Sequence, residues 1–86
     1  MRTVFHKQFV KQYVKLPKAQ EKRFERAIIL FRNEPNHPDL YNHPLTGKWK
    51  GHRSISFGGD WRAHYIPKGK GVALFVAVGT HNQLYK

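Results

Sequence analysis

Five candidate proton-transfer side chains lie between positions 43 and 85 of this 86-residue chain: His43, Asp60, His64, His81 and Tyr85. Lys48, Lys50, Arg53 and Arg62 are interspersed among them. These residue types suit the cleavage of a phosphodiester. RNA cleaves itself when a base takes the 2′-OH proton, a cation stabilises the crowded phosphate and an acid protonates the departing 5′ oxygen. Histidine titrates near neutrality and serves both proton transfers. Lysine and arginine meet the charge that builds on the phosphate. The scheme calls for no metal and no cofactor. Trp61 or Tyr85 offers a face on which an exposed base can stack, although Trp61 also follows the apolar face of its segment.

Other chemistries lack their signatures. There is no P-loop, no dinucleotide-type glycine fingerprint and no HExxH motif. Ser54 and Ser56 sit in a strand pattern, not on a nucleophile elbow. The six histidines are scattered without metal-ligand spacing. His6, His37 and His52 read as surface or capping residues. With no cysteine, the chain has neither a disulfide framework nor a thiolate zinc site.

Charge is the strongest bulk signal. Sixteen Lys and Arg face five Asp and Glu, a formal net charge of +11. Only Asp60 among the acids lies after Tyr41. Such a field attracts polyanions and speeds encounter with them. By charge alone the partner could be RNA, DNA, an anionic membrane or an acidic protein. No apolar run approaches the roughly 18 residues of a membrane span, and the N-terminal MRTVFHKQF lacks the apolar stretch of a secretory signal. The expectation is a cytoplasmic protein of one domain, residues 1–86, with a modest core.

The elements that must position these groups follow from periodicity. Residues 2–5 read as a short strand. Phe5, Phe9, Tyr13 and Leu16 then form one helical face, with Lys7, Lys11 and Lys15 on another. Pro17 breaks the pattern. A second helix is expected from about Lys18 to Asn33, burying Phe24, Ala27, Ile28 and Phe31, with Ile29 and Leu30 widening the stripe. Residues 35–47 hold three of the five prolines and read as a loop. From Trp49 to Phe57 the period is strand-like, with Trp49, Ile55 and Phe57 on one face. Gly58-Gly59 marks a tight turn. From Asp60 to Ile66, Trp61, Ala63 and Tyr65 alternate with Arg62, His64 and Ile66. Gly71 to Gly79 is apolar throughout, as a strand buried on both faces is. The tail THNQLYK reads as short and polar. The expected class is α+β: an N-terminal strand and a helical hairpin packed on an antiparallel sheet of about four strands. The helices cover one sheet face, and Arg62 and His64 lie on the other.

The run from His43 to Gly51 (HPLTGKWKG), then Arg53, then Asp60-Trp61 with Tyr65, then Gly79-Thr80-His81 and Leu84-Tyr85, resembles the YafQ branch of the RelE/ParE toxins. The motifs span about half the chain. The resemblance implies a RelE-like fold and the toxin of a type II toxin-antitoxin system. It implies a ribosome-dependent endoribonuclease that cleaves mRNA in the ribosomal A site, silenced by a cognate antitoxin. An acidic, partly disordered antitoxin suits a chain of this charge, as a hetero-oligomer.

Carried over by position, His43, Asp60 and His81 match acid/base residues. Tyr85 falls at an aromatic near the C-terminus, Trp61 at the tryptophan beside the aspartate, and Arg62, in the wider RelE pattern, at an arginine on the central sheet near the scissile phosphate. Two positions depart from the pattern. Ser56 stands where YafQ-like proteins carry a second histidine, and Ala77 where they carry an arginine. Arg62 and His64 are candidates to replace the missing charge and proton transfer. The alternatives are a ParE-type gyrase inhibitor and a toxin-like binding module with weakened catalysis.

Overall fold

In the computed structural model, which describes residues 1–85, β1 (Arg2–Phe5) leads into α1 (Lys7–Tyr13) and α2 (Lys18–Asn33). The His6 ring starts α1 by accepting from Gln8 N–H through Nδ1 at 3.0 Å. Pro17, whose ring forbids a helical N–H bond, stands at the start of α2. The Phe24, Ala27, Ile28 and Phe31 stripe is buried as its spacing predicts. Leu30 packs partly against the core, but Ile29 is 58% exposed, because it lies one step past the stripe on the open side of a groove between the helices.

Strands follow after a 3₁₀ turn at Pro38–Leu40: β2 (His43–Pro44), β3 (Arg53–Gly58), β4 (Trp61–Lys68) and β5 (Val72–Thr80). A second 3₁₀ turn, Gly47–Trp49, separates β2 from β3. The short helix α3 (His81–Leu84) ends the described chain. The sheet has five strands in the order β1-β5-β4-β3-β2. It is mixed rather than antiparallel, since β1 runs parallel to β5. Tight turns impose antiparallel pairing only on the strands they join, as in β3-β4 and β4-β5. The path from β1 passes through two helices, which leaves its direction free. The fifth strand is the two-residue β2, inside the segment expected to be loop.

The helices cover one sheet face. Phe31, Phe75, Ile55 and Ala63 are fully buried between the layers. Phe24 stands edge-on to Phe57 at 5.4 Å and to Phe75 at 6.1 Å. Each fully buried aliphatic or Phe side chain contributes roughly 1.5–3 kcal/mol of transfer free energy.

An irregularity in β5 sets which residues face the other side. Tyr65 pairs with Phe75 but His64 pairs with Ala77, so Val76 is an extra residue, a β-bulge. The alternation therefore slips by one. Phe75 and Val78 both face the helices, and Ala77 faces outward beside His64. Val78 N–H is satisfied by a side chain: Gln12 of α1 accepts from it through Oε1 at 2.9 Å. Gln12→Ala is expected to cost about 1 kcal/mol of stability. An unchanged urea midpoint would show that this bond contributes nothing.

Candidate functional site

Two cross-strand rows on the uncovered face carry the candidate groups. One row runs His43-Ser54-His64-Ala77 across β2, β3, β4 and β5. The next runs Ser56-Arg62-Gly79. Each member is the register partner of its neighbour, so same-face side chains stand side by side.

His64 lies on the predicted face, but that face is not open there. Its side chain is fully buried. Trp49 stands edge-on to its ring at 4.5 Å and Tyr85 at 5.5 Å. Trp49 comes from the Gly47–Trp49 turn, not from a strand, and so does not join Ile55 and Phe57 on the helix side as its spacing suggested. Its indole Nε1 donates to Leu84 O at 3.2 Å, which ties the turn to α3. Among the described residues, neither ring nitrogen of His64 has a hydrogen-bond partner, and neither does Oγ of its neighbour Ser54. Burial holds the His64 pKa down at about 4, helped by the positive charge of His52, His43, Arg62 and His81 when protonated. At neutral pH this imidazole is uncharged.

His81 and Tyr85 close the site from α3. Their rings are 4.4 Å apart with 30° between planes. His81 is exposed, and its N–H donates to Asp60 O at 2.8 Å, which sets His81 beside the exposed turn residue Asp60. Burial raises the Tyr85 phenol pKa, an effect partly offset by Arg62, so the hydroxyl stays protonated as a donor. The tail read as merely polar is thus a helix, and its signal was present as Thr80-x-x-Gln83. Thr80 Oγ1 accepts from Gln83 N–H at 3.2 Å, and Gln83 Oε1 accepts from Thr80 N–H at 2.8 Å, a capping box. Gly79 makes room for it, since a Cβ there would fall 2.7 Å from Gln83 Oε1. Thr80→Ala is expected to destabilise the chain by about 1 kcal/mol in urea titration. No loss would mean that α3 is held without the help of its capping box.

Arg62 reaches the same face. Its Nη1 donates to Gly59 O at 2.8 Å, with Trp61 O at 3.0 Å and Ser56 Oγ at 3.2 Å. Ser56, where a histidine was expected by resemblance, therefore serves as a support for Arg62. Lys48 and Lys50 are exposed on either side of Trp49.

Two candidates are placed elsewhere. Arg53 donates from Nε to Asn42 Oδ1 at 2.9 Å, at the sheet end beside Tyr65. Trp61 is half-buried on the helix side, 6.2 Å from the Phe57 ring, beside Gln12, Leu16 and Val78. Its alternation with Ala63 and Tyr65 dictated that side. His52, expected at the surface, is half-buried, with its ring 5.1 Å from Trp49. Tyr41, beside His43, had no signal, because nothing local marks a tyrosine for positive φ.

The arrangement brings His43, Arg62, His81 and Tyr85 around one covered histidine. These groups can take up and donate protons and hold an anion. Among the described residues no group of three metal-ligating side chains converges, and no helix is long and apolar enough to cross a membrane.

Comparison with known proteins agrees with this fold. The family model described as "Bacterial toxin of type II toxin-antitoxin system, YafQ" matches residues 1–86. YafQ from E. coli strain BL21(DE3) superposes with a TM-score of 0.79 at 27% identity, covering 100% of both chains. A metal-bound toxin from Helicobacter pylori gives 0.79 at 25% identity over 99% of each chain. YafQ in the E. coli DinJ-YafQ toxin-antitoxin complex gives 0.76 at 27% identity over 98% of this chain and 96% of that one. No curated protein matches the chain. By the family match over its whole length, the chain belongs to the YafQ toxins of bacterial type II toxin-antitoxin systems.

Proposed function

We propose that this toxin is a ribosome-dependent endoribonuclease that cleaves mRNA in the A site by acid/base chemistry. The observation that carries this reading is the convergence of His43, Arg62, His81 and Tyr85 on the sheet face opposite α1 and α2. In the proposed step a base takes the 2′-OH proton, the 2′ oxygen bonds to phosphorus, and the bond from phosphorus to the 5′ oxygen breaks. An acid then protonates that oxygen. The products are a 2′,3′-cyclic phosphate and a 5′-hydroxyl. His43 and His81 act as the proton carriers, with Asp60 beside His81. Tyr85 donates from its protonated hydroxyl. Arg62 holds the phosphate, and Lys48 and Lys50 guide the strand. His64 supports Trp49 and Tyr85 from beneath, and does not itself meet the substrate.

The proposed partner is an acidic antitoxin. E. coli YafQ forms a toxin-antitoxin complex with DinJ. Two features support it here: the +11 charge, and a groove of about 520 Å³ between α1 and α2 lined by Phe5, Val10, Tyr13, Ile28 and Ile29. Val10 is 47% exposed there, an apolar surface suited to a covering segment.

The test is mapping of mRNA ends on programmed ribosomes with the purified toxin. Cleavage within the A-site codon, leaving 5′-hydroxyl ends, supports the reading. Growth arrest with intact mRNA and altered DNA supercoiling would replace it with gyrase inhibition.

A further inference from the structure

Tyr41 has φ 47°, the left-handed region, and it is the only described non-glycine residue with positive φ. A Cβ makes that conformation costly, so the surroundings must impose it. They do so through the next residue. The Asn42 amide donates to Pro35 O at 2.9 Å and to Tyr65 OH at 2.8 Å, and its Oδ1 accepts from Arg53 Nε at 2.9 Å. Tyr65 belongs to the buried core. Asn42 is thereby fastened to β3 and β4, and Tyr41 and His43 flank a fixed point.

The result is a contact between those flanking residues. His43 Nδ1 lies 2.9 Å from Tyr41 O. A carbonyl oxygen only accepts, so Nδ1 must carry the proton. The 64%-exposed Tyr41 ring also lies against the imidazole, with centroids 4.6 Å apart and 38° between planes. His6 and His37 show the opposite state. Their Nδ1 atoms accept from Gln8 N–H and Asp39 N–H, at 3.0 Å and 3.1 Å, which puts their proton on Nε2.

We propose that Tyr41 is a positioning residue for His43: its strained backbone carbonyl selects the Nδ1–H tautomer and its ring fixes the imidazole plane, so that Nε2 presents a lone pair to the substrate. Its catalytic consequence rests on His43 taking part in proton transfer, but the tautomer does not depend on that reading. The exposed Tyr41 ring shields the back of the imidazole and leaves its Nε2 edge as the working edge. Arg53 thereby acquires a role away from phosphate, as part of the clamp that sets Tyr41.

The experiment is ¹⁵N NMR of the purified full chain with labelled histidine, at about pH 8, where an ordinary imidazole is neutral. The wild type is expected to show His43 protonated on Nδ1, with His6 and His37 protonated on Nε2 as internal references. Tyr41→Gly tolerates positive φ, so it keeps the carbonyl in place and keeps the tautomer while deleting the ring. Tyr41→Val carries a β-branched side chain that resists positive φ, so it is expected to lose the Nδ1–H preference with the references unmoved. In ribosomal cleavage, Tyr41→Val should lower kcat about tenfold with KM unchanged, the signature of lost orientation. A wild-type His43 protonated on Nε2, or a Tyr41→Val tautomer identical to wild type, would overturn the proposal. The predicted tautomers in a wild type that cleaves no mRNA would uphold the positioning and sink the ribonuclease reading instead.

Discussion

Replacing His81 by alanine is expected to slow mRNA cleavage by about 10²- to 10⁴-fold while the chain stays folded. The size follows from removing a proton carrier from a reaction that moves two protons. Stability should barely change. His81 is exposed at the first position of α3, where alanine is helix-compatible, and the bond from its N–H to Asp60 O belongs to the backbone. What the variant loses in packing is the tilted ring contact with Tyr85. Single-turnover cleavage on programmed ribosomes measures the effect, with urea titration as the control. A loss of only a few-fold, in a variant with wild-type stability, would remove His81 from proton transfer. It would shift the reaction onto His43 and Asp60. Ser56 and Ala77 sharpen this test. With those two positions lacking the side chains of the family pattern, fewer groups remain to compensate, so the loss should lie toward the upper end of the range.

Acidification from about pH 6.5 to about pH 4 is expected to cost the fold about 3 kcal/mol through His64. The direction follows from which state binds the proton first. In the unfolded chain the imidazole titrates near its ordinary value of 6.5, and in the folded chain only at about 4. Between these values the unfolded state holds a proton that the folded state refuses, and stability falls as pH falls. Above 6.5 the effect is absent, and below 4 it is complete. The physical origin is that Trp49 and Tyr85 bury the ring with no acceptor for a second N–H. His64→Phe retains a ring for those edge contacts and removes both unpartnered nitrogens. Its stability is expected to be flat across this window, and at neutral pH equal to or above wild type. Urea titrations of both proteins at several pH values measure the difference. An identical slope in the two would show that His64 charges without penalty and that its cover opens readily. Such opening would also restore the substrate contact that its place on the sheet suggested.

The local period of the chain made much of the fold legible. The α2 stripe from Phe24 to Phe31 is buried as spaced, because helical repetition places every third or fourth residue on one side whatever packs there. Trp61, Ala63 and Tyr65 face the helices for the corresponding reason in a strand. The Gly58-Gly59 turn is equally local, since positive φ at both glycines is a property of those residues. The side of the sheet that the candidate residues occupy was legible to the same degree. His43, Arg62 and His81 come together because turns and strand registers deliver them to one face.

Coverage was not legible. Whether His64 lies open or buried depends on Trp49 and Tyr85, which arrive from a 3₁₀ turn and a C-terminal helix and meet only when the chain has closed. Arg53 alternates correctly along β3, yet the loop that presents Asn42 decides what it binds. The strained φ of Tyr41 is enforced by Tyr65 and Arg53, far along the chain. The parallel pairing of β1 with β5 is settled by helix packing, not by a turn. By itself the sequence determined the long elements, their buried faces and the basic, histidine-bearing surface, since these arise from backbone periodicity and side-chain type. Only the tertiary structure decided which of those groups are covered, which are clamped and which meet the solvent, because a side chain's cover and partners come from residues distant in sequence.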